Sequence, residues 1–386
     1  MDSQSQFLNV SEDGGLARFF DSPDFDPAGV GLALSGGGYK AAAFHLGALI
    51  RLNELGWLKR LTRISSVSGG SIVSGYLGLK WKDLAFDSGG VAVNFDEVIT
   101  GPLHRFLTTA NLDFWAGLLG LFPFLTGAGM LACGYRDHLY GDASLQDLPH
   151  AGEGPEFVIA ATNYELNSLW RFSQAYAADY RVGMIDAPRF PLSQIVAASS
   201  GFPPFFCPLK LDVSGAIINP TEGADRHAGR FLHQAQLCDG GVYDNMALEP
   251  VWKECGTLLV SNAGDPFDEN SHPGNWFCIL LRILGMIHRQ AENNRQRVLM
   301  LLANLGERTV AYWPLRNSNN NYPKPSQAIP PQADIAAAQA VKVRLWSLTA
   351  TAFNQLANHG YSLCDSAAQS YLDLGAAPPP RPPFGA

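Results

Sequence analysis

The chain has 386 residues, enough for two average domains or for one large α/β domain with insertions. It is 47% hydrophobic and 16% charged, a composition that supports a sizeable core and argues against disorder. With 27 basic and 35 acidic side chains its formal net charge is −8, and no lysine- or arginine-rich run occurs. Binding to nucleic acid is therefore not expected.

The cysteines and the N-terminus both favour a cytoplasmic location. None of the six cysteines forms a C-x-x-C pair, and none is spaced from histidines as in a zinc finger. They are expected to be reduced, mostly buried thiols. The N-terminus is polar and acidic, without the basic-then-apolar order of a signal peptide.

The first part of the chain predicts strands that alternate with helices. A loosely held tail over 1–27 is followed by an apolar strand at 30–34 and a helix at 39–56. A second strand is predicted at 64–67 and a second helix at 71–80. This order is typical of a parallel sheet covered by helices.

An insertion near 81–150 is predicted to be apolar and helical. Its segment 114–135 carries no charge and is long enough to cross a bilayer, but glycines and a proline interrupt it. We expect this segment to line an acyl-chain tunnel, to touch a membrane interface, or to pack as an ordinary core helix.

The second part predicts further strands and helices and ends in a proline-rich tail at 376–386, which is expected to be extended and mobile. Strands are predicted at 156–164 and 257–264, a helix at 191–200, a long helix at 275–305, and one or two helices within 333–373.

Gly36, Gly37 and Gly38 directly follow the first predicted strand and open the first predicted helix. The pattern GGGYKA matches a dinucleotide-binding loop, but the end of the second strand lacks the acidic residue that holds the ribose. Consecutive glycine N–H groups at a helix N-terminus also form a cradle for an oxyanion. The oxyanion cradle is favoured, and a dinucleotide loop or a purely structural turn are the alternatives.

Ser68 lies where the second predicted strand meets the second predicted helix. A sharp turn that presents a nucleophilic serine needs small residues two positions before and after it, and Ser66 and Gly70 meet this need. In a parallel sheet this turn and the glycine loop emerge at the same carboxyl edge. The sequence therefore predicts Ser68 as a nucleophile beside the oxyanion donors.

Three motifs together resemble the patatin-like phospholipase family: SGGGYK at 35–40, SVSGG at 66–70, and the Asp-Gly-Gly string that begins at Asp239. The resemblance covers roughly residues 29–265. It implies a three-layer α/β/α patatin-like fold with a mostly parallel central sheet. The domain is expected over 28–375, with a helical C-terminal part at 275–375.

The resemblance also implies the site and the activity. It implies Gly36, Gly37 and Gly38 as oxyanion donors, Ser68 as nucleophile and Asp239 as general base, a dyad that needs no histidine. The implied reaction is hydrolysis of a lipid or phospholipid carboxylic ester at a membrane surface that the protein contacts peripherally. Neither a metal nor an organic cofactor is needed. Lys40 is a candidate contact for an anionic head group, or else solvates the start of the helix.

Two departures from the family pattern leave other functions open. Ser66 stands where the family has a glycine two residues before its nucleophilic serine, in the sharp turn called the nucleophile elbow. Ala41 stands where the family's glycine-rich loop often continues with glycine. A non-catalytic binding protein on a patatin-like scaffold is one alternative.

A Ser-His-Asp esterase of the α/β-hydrolase type is the other alternative, because His272, His288 and His359 follow the acid in chain order. Asp244 is expected to be structural, and His45 is expected to pack or hydrogen-bond within the first helix.

Overall fold

A computed structural model of the protein describes residues 22–112, 127–203, 206–264, 274–375 and 378–385. Its strands are β1 Asp26–Leu34, β2 Arg63–Ser66, β3 Glu156–Asn163, β4 Ser168–Phe172, β5 Tyr176–Asp179, β6 Gly183–Asp186, β7 Leu209–Asp212, β8 Ile218–Asn219, β9 Gln234–Asp239, β10 Cys255–Asn262 and β11 Thr309–Pro314. Its helices are α1 Gly38–Glu54, α2 Gly69–Leu79, α3 Gly101–Thr109, α4 Gly127–Tyr135, α5 Leu192–Ser200, α6 Gly241–Asp244, α7 Glu249–Trp252, α8 Trp276–Asn304, α9 Gln332–Ala340 and α10 Ala350–Tyr371.

The strands form one mixed sheet in the order β11-β10-β1-β2-β3-β4-β5-β6-β8. The first five of these strands are parallel, and the remaining ones continue the sheet as antiparallel neighbours. Because parallel strands need crossovers, helices cover this part of the sheet on both faces.

Strand β9 enters the sheet where β2 ends. β2 pairs with residues 156–159 of β3, whereas β9 pairs antiparallel with residues 161–163 on the same edge of β3. β4 occupies the opposite edge. The carboxyl end of β9, Asp239, therefore meets the carboxyl end of β2, two residues before Ser68.

The core lies on both faces of the sheet, which gives three layers. In β1, Leu32 and Leu34 belong to the core under α1 and α10, whereas Ala33 faces the core under α7 and the C-terminal half of α8. The helices α1 and α10 approach closely enough that a Cβ at Gly47 would lie 1.8 Å from the Ala357 carbonyl oxygen. The expected α/β/α fold with a mostly parallel sheet is confirmed.

Most strands and helices predicted from the sequence occur with small shifts at their ends. The predicted strand at 30–34 begins earlier, at Asp26, and the predicted helix at 275–305 is α8. The antiparallel strands β4 to β9 and the parallel strand β11 are absent from the prediction. They are short or lie among polar turn residues, so their apolar alternation is weak.

The apolar segment 114–135 is described only from residue 127 onward, where it forms α4. Ala128, Leu131 and Tyr135 of α4 are buried in the main core, so this part packs as an ordinary core helix. Residues 114–126 lie outside the described residues. Within the described ranges, no helix combines the length and apolarity needed to cross a membrane.

Both chain ends are held more firmly than expected where they are described. The Ser22 amide donates to the Lys253 carbonyl at 2.9 Å. In the proline-rich tail, the Pro378 carbonyl accepts from the Arg51 guanidinium at 2.8 Å, and the Phe384 ring packs against Phe353. The tail is therefore docked on α1 and α10 instead of projecting freely, because α1 binds a backbone carbonyl of the tail and α10 binds its phenylalanine ring.

Candidate active site

Ser68 occupies a strained turn between β2 and α2. Its backbone has φ 51° and ψ −121°, a conformation that a non-glycine residue adopts only when its surroundings enforce it. The next residue must be small, because a Cβ at Gly69 would lie 2.1 Å from the Gly38 carbonyl oxygen. The turn thus brings the nucleophile candidate against the glycine loop.

The elbow rests on a network of buried serine hydroxyls that the sequence motifs did not reveal. The Ser199 carbonyl accepts from the amides of Ser68 and Gly240, each at 3.1 Å. Its hydroxyl bonds the Ser71 hydroxyl at 2.8 Å, and Ser71 donates to the Ser66 hydroxyl at 3.1 Å. Ser66 thus fits the elbow in place of glycine with its hydroxyl satisfied.

The three glycines of the loop have different roles. The Gly36 amide donates to the Asn245 carbonyl at 3.0 Å, and a Cβ on Gly36 would meet Asn245 Oδ1 at 2.4 Å. Gly36 is therefore already hydrogen-bonded, which corrects its assignment as an oxyanion donor. Within the described part of the chain, the amides of Gly37 and Gly38 have no acceptor. Both residues have positive φ, 135° and 57°.

Asp239 lies at the end of β9 with its side chain 3% exposed. Burial raises the pKa of this carboxyl to about 7, against the lowering effects of hydrogen bonds from the Gly241 amide and the Ser68 hydroxyl. The Gly241 amide donates to Oδ1 at 2.7 Å, which fixes the carboxylate. A carboxylate with this pKa, in the same cavity as a serine hydroxyl, is suited to accept its proton near neutral pH.

These groups open onto one cavity of about 400 Å³. The carboxyl edge of the sheet contributes Gly36, Gly37, Gly38, Ser68 and Asp239 to its lining. The opposite side comes from His288, Arg289 and Glu292 of α8 and from Val343, Arg344 and Leu345, which precede α10. The carbonyl of Arg344 accepts from the Tyr39 amide at 2.9 Å, so the segment 343–345 is fastened to the glycine loop.

Lys40 does not serve as the predicted head-group contact. Its side chain is 1% exposed, and its ammonium donates to the Gln339 carbonyl at 3.2 Å. The helical period places position 40 on the core side of α1, between this helix and the end of α9. Lys40 therefore ties α9 to the start of α1 and is absent from the cavity lining.

The histidines differ sharply in their surroundings. His45 is buried between the Ser35 carbonyl and the Ser261 hydroxyl, and burial lowers its pKa to about 4, so it packs in α1 as predicted. His359 is buried in α10 against the Leu315 carbonyl, away from the cavity. His288 alone of the described histidines lines the cavity. His272 lies outside the described residues.

Asp244 is structural, as expected. Its buried carboxylate pairs with Arg295 at 3.2 Å and accepts from the Glu249 amide at 2.8 Å. Burial raises its pKa, and the Arg295 charge opposes that rise. The pair fastens α6 to α8, which keeps the turn after Asp239 in position.

The fold agrees with comparisons to known proteins. The patatin-like phospholipase family matches residues 32–252, more than half of the chain. The chain therefore belongs to the patatin-like phospholipase family. Comparison with curated proteins finds no significant match.

The structure of Human GIVD cytosolic phospholipase A2 is similar, with a TM-score of 0.54 at 14% identity over 89% of this chain and 59% of that one. Its complex with methyl gamma-linolenyl fluorophosphonate gives a TM-score of 0.50 at 15% identity, over 92% and 60%. This chain spans about three fifths of the length of those structures. At this identity the likeness shows the fold.

Proposed function

We propose that the protein is a lipid acyl hydrolase that cleaves carboxylic esters through an acyl-enzyme on Ser68, with Asp239 as general base. The observation that carries the proposal is that Ser68 and the buried Asp239 line one cavity, together with two glycine amides that have no acceptor in the described loop. Nucleophile, base and oxyanion donors thus share one cavity, as acyl transfer requires.

In the proposed acylation, the Asp239 carboxylate takes the Ser68 hydroxyl proton while Oγ bonds to the ester carbonyl carbon. The carbonyl oxygen becomes an oxyanion, which the amides of Gly37 and Gly38 stabilise. When the intermediate collapses, the bond to the alcohol oxygen breaks and Asp239 returns the proton to that leaving group. Water then gives a proton to Asp239 and attacks the acyl carbon. The bond from this carbon to Ser68 Oγ breaks, Asp239 returns the proton to Oγ, and the carboxylic acid is released.

The cavity lining supports a lipid ester, and a phospholipid in particular, as the substrate. Phe202, Phe206, Val343 and Leu345 supply apolar contacts for an acyl chain. Arg344 is exposed at the same cavity and replaces Lys40 as the candidate cation for an anionic head group. We propose a cytoplasmic enzyme that meets its substrate by peripheral contact with a membrane.

A triad esterase with His288 as base is the second candidate, because His288 lines the same cavity. Burial lowers the pKa of His288, and the charges that act on it are those of Glu292, Arg289 and Arg295. Asp239 does not appear among its partners in the described part of the chain. The dyad is favoured because the pairing of β9 with β3 brings Asp239 itself to the end of β2, beside Ser68.

The test is a screen of lipid classes, with the Ser68→Ala protein as the blank. The wild-type protein is expected to hydrolyse at least one lipid ester and to react with a fluorophosphonate probe, whereas Ser68→Ala does neither and melts at the same temperature. Peptide mapping should locate the adduct on Ser68. An adduct on Ser66 or Ser71 contradicts the nucleophile assignment, and an unlabelled, inactive but folded wild type indicates the non-catalytic alternative.

A further inference from the structure

The N-terminal half of α8 carries an apolar face that points away from the protein. We call it the outer face of α8; it consists of Trp276, Ile279, Leu280, Ile283, Leu284 and Ile287. These side chains are between 44% and 75% exposed. Their spacing of three and four residues places them on one stripe of the helix. Such a stripe normally faces a protein core, so an exposed one marks an interaction surface.

The fold itself does not need this stripe. In the C-terminal half of α8, the core takes up Leu299 and Leu302. Continuing the outer face by the same spacing beyond Ile287 gives three polar residues, Gln290, Asn294 and Arg297, before Leu301 near the end of the helix. The apolar surface therefore ends abruptly after about three turns. A helix that only packed on the sheet would have no reason for this second apolar face.

The outer face adjoins the cavity. His288, Arg289 and Glu292, which follow directly on the same helix, line the cavity that holds Ser68. A ligand seated on the outer face would thus lie within one or two turns of the cavity wall. This continuity links the surface to a partner that also supplies the substrate.

We infer that the outer face of α8 is the surface by which the protein rests on a lipid membrane, and that this membrane is zwitterionic. The inference rests on the proposed function, which requires access to lipid. An amphipathic helix lies in the interface plane with its apolar face among the acyl chains, and a tryptophan such as Trp276 favours the head-group level.

Charge decides between zwitterionic and anionic lipid. Residues 276–287 contain one charged side chain, Arg282, and no acid, whereas the whole chain carries a net charge of −8. The outer face itself therefore offers no polybasic attraction to anionic lipid, and its apolar side chains must provide the binding. Binding is accordingly expected to change little between low and high salt, since screening acts only on the charge term.

The experiment measures flotation with phosphatidylcholine vesicles for the full chain in a Ser68→Ala background, so that hydrolysis does not alter the vesicles. Leu280→Asp places a charge in the outer face, and Leu301→Asp places the same charge near the other end of α8. The two leucines are matched, at 44% and 45% exposure, and lie about 30 Å apart along the helix axis.

Leu280→Asp is expected to weaken vesicle binding by about ten-fold or more, since a charge replaces a side chain that would enter the interface. Leu301→Asp should bind like its parent. In the Ser68-containing protein, Leu280→Asp should leave turnover of a short soluble ester unchanged. Ile283→Asp serves as a second variant if Leu280→Asp melts at a lower temperature.

Three results would overturn the inference. One is a parent protein that fails to float with phosphatidylcholine vesicles, and another is equal loss in Leu280→Asp and Leu301→Asp. The third is a parent that sediments as a dimer and becomes a monomer in Leu280→Asp without any vesicle binding, because a second copy would then cover the face. None of these results depends on catalysis, whereas failure of the proposed function would appear in the lipid screen with vesicle binding intact.

Discussion

Two walls enclose the cavity, and they are built differently. The sheet wall consists of Gly37, Gly38, Ser68 and Asp239. Strand ends, a strained turn and a hydrogen bond to Ser199 fix its backbone, and the Gly241 amide holds the Asp239 carboxylate. The helical wall consists of His288, Arg289 and Glu292, on a helix whose preceding turns expose apolar side chains.

This difference suggests that the two walls have different tasks, catalysis of ester cleavage and contact with the lipid. Groups that transfer a proton or hold an oxyanion must stay within a fraction of an ångström of their partners, and the sheet wall provides this rigidity. A helix that is only partly packed is better suited to contact a lipid surface. We therefore assign bond making and breaking to the sheet wall, and lipid contact to the outer face of α8, which precedes the helical wall on the same helix.

The largest effect beyond those of Ser68 and Asp239 is expected from the glycine loop. Gly37→Val should lower kcat by about 100-fold or more, because φ 135° is unfavourable for valine and the amide would shift away from the oxyanion. Steady-state hydrolysis of a soluble ester measures this loss. A variant with unchanged kcat would remove Gly37 from the site.

A matched control separates this effect from simple backbone strain. Gly152 also has positive φ, 85°, and a Cβ there would meet nothing within 4 Å. Gly152→Val should therefore carry a comparable strain and lower the melting temperature similarly, yet keep its kcat. Equal losses of kcat in both variants would point to general destabilisation.

A smaller effect, which changes gradually with pH, is expected on kcat/KM. Since burial raises the pKa of Asp239 to about 7, the carboxyl is protonated and unable to accept a proton at lower pH. The value of kcat/KM for a soluble ester should therefore fall about ten-fold per unit below pH 7 and level off above it. The same rising limb should persist in His288→Ala. A limb that disappears in this variant would assign it to the histidine.

Much of the sheet wall was predictable from the sequence because its motifs are local. The glycine loop and the Ser68 turn each follow a strand within a few residues, and parallel strands place such turns at one edge. Asp239 was identified through the family resemblance, because the string around it is typical of any solvated turn. Asp239 meets Ser68 only because β9 pairs with the part of β3 that extends beyond the end of β2. β3 and β9 are about 80 residues apart in sequence, so local patterns do not reveal this pairing.

The parts that sequence patterns missed are set by long-range contacts. Gly36 looks like its neighbours, and only the contact with Asn245 shows that its amide is already hydrogen-bonded. The position of Lys40 in the motif suggests a head-group contact, yet its ammonium donates a hydrogen bond to the Gln339 carbonyl in α9. The helical wall belongs to a segment outside residues 32–252, where the motifs give no guidance.

The most direct test of the account compares Asp239→Asn with His288→Ala in one hydrolysis assay, with Ser68→Ala as the baseline and melting curves as the check on folding. Asparagine keeps the shape of the side chain and can still accept from the Gly241 amide, but it cannot take a proton. The account predicts that Asp239→Asn falls to the Ser68→Ala level, while His288→Ala stays within about ten-fold of wild type, far above the loss of a triad histidine. A folded His288→Ala at the Ser68→Ala level, with a milder loss in Asp239→Asn, would contradict the dyad and establish a histidine base.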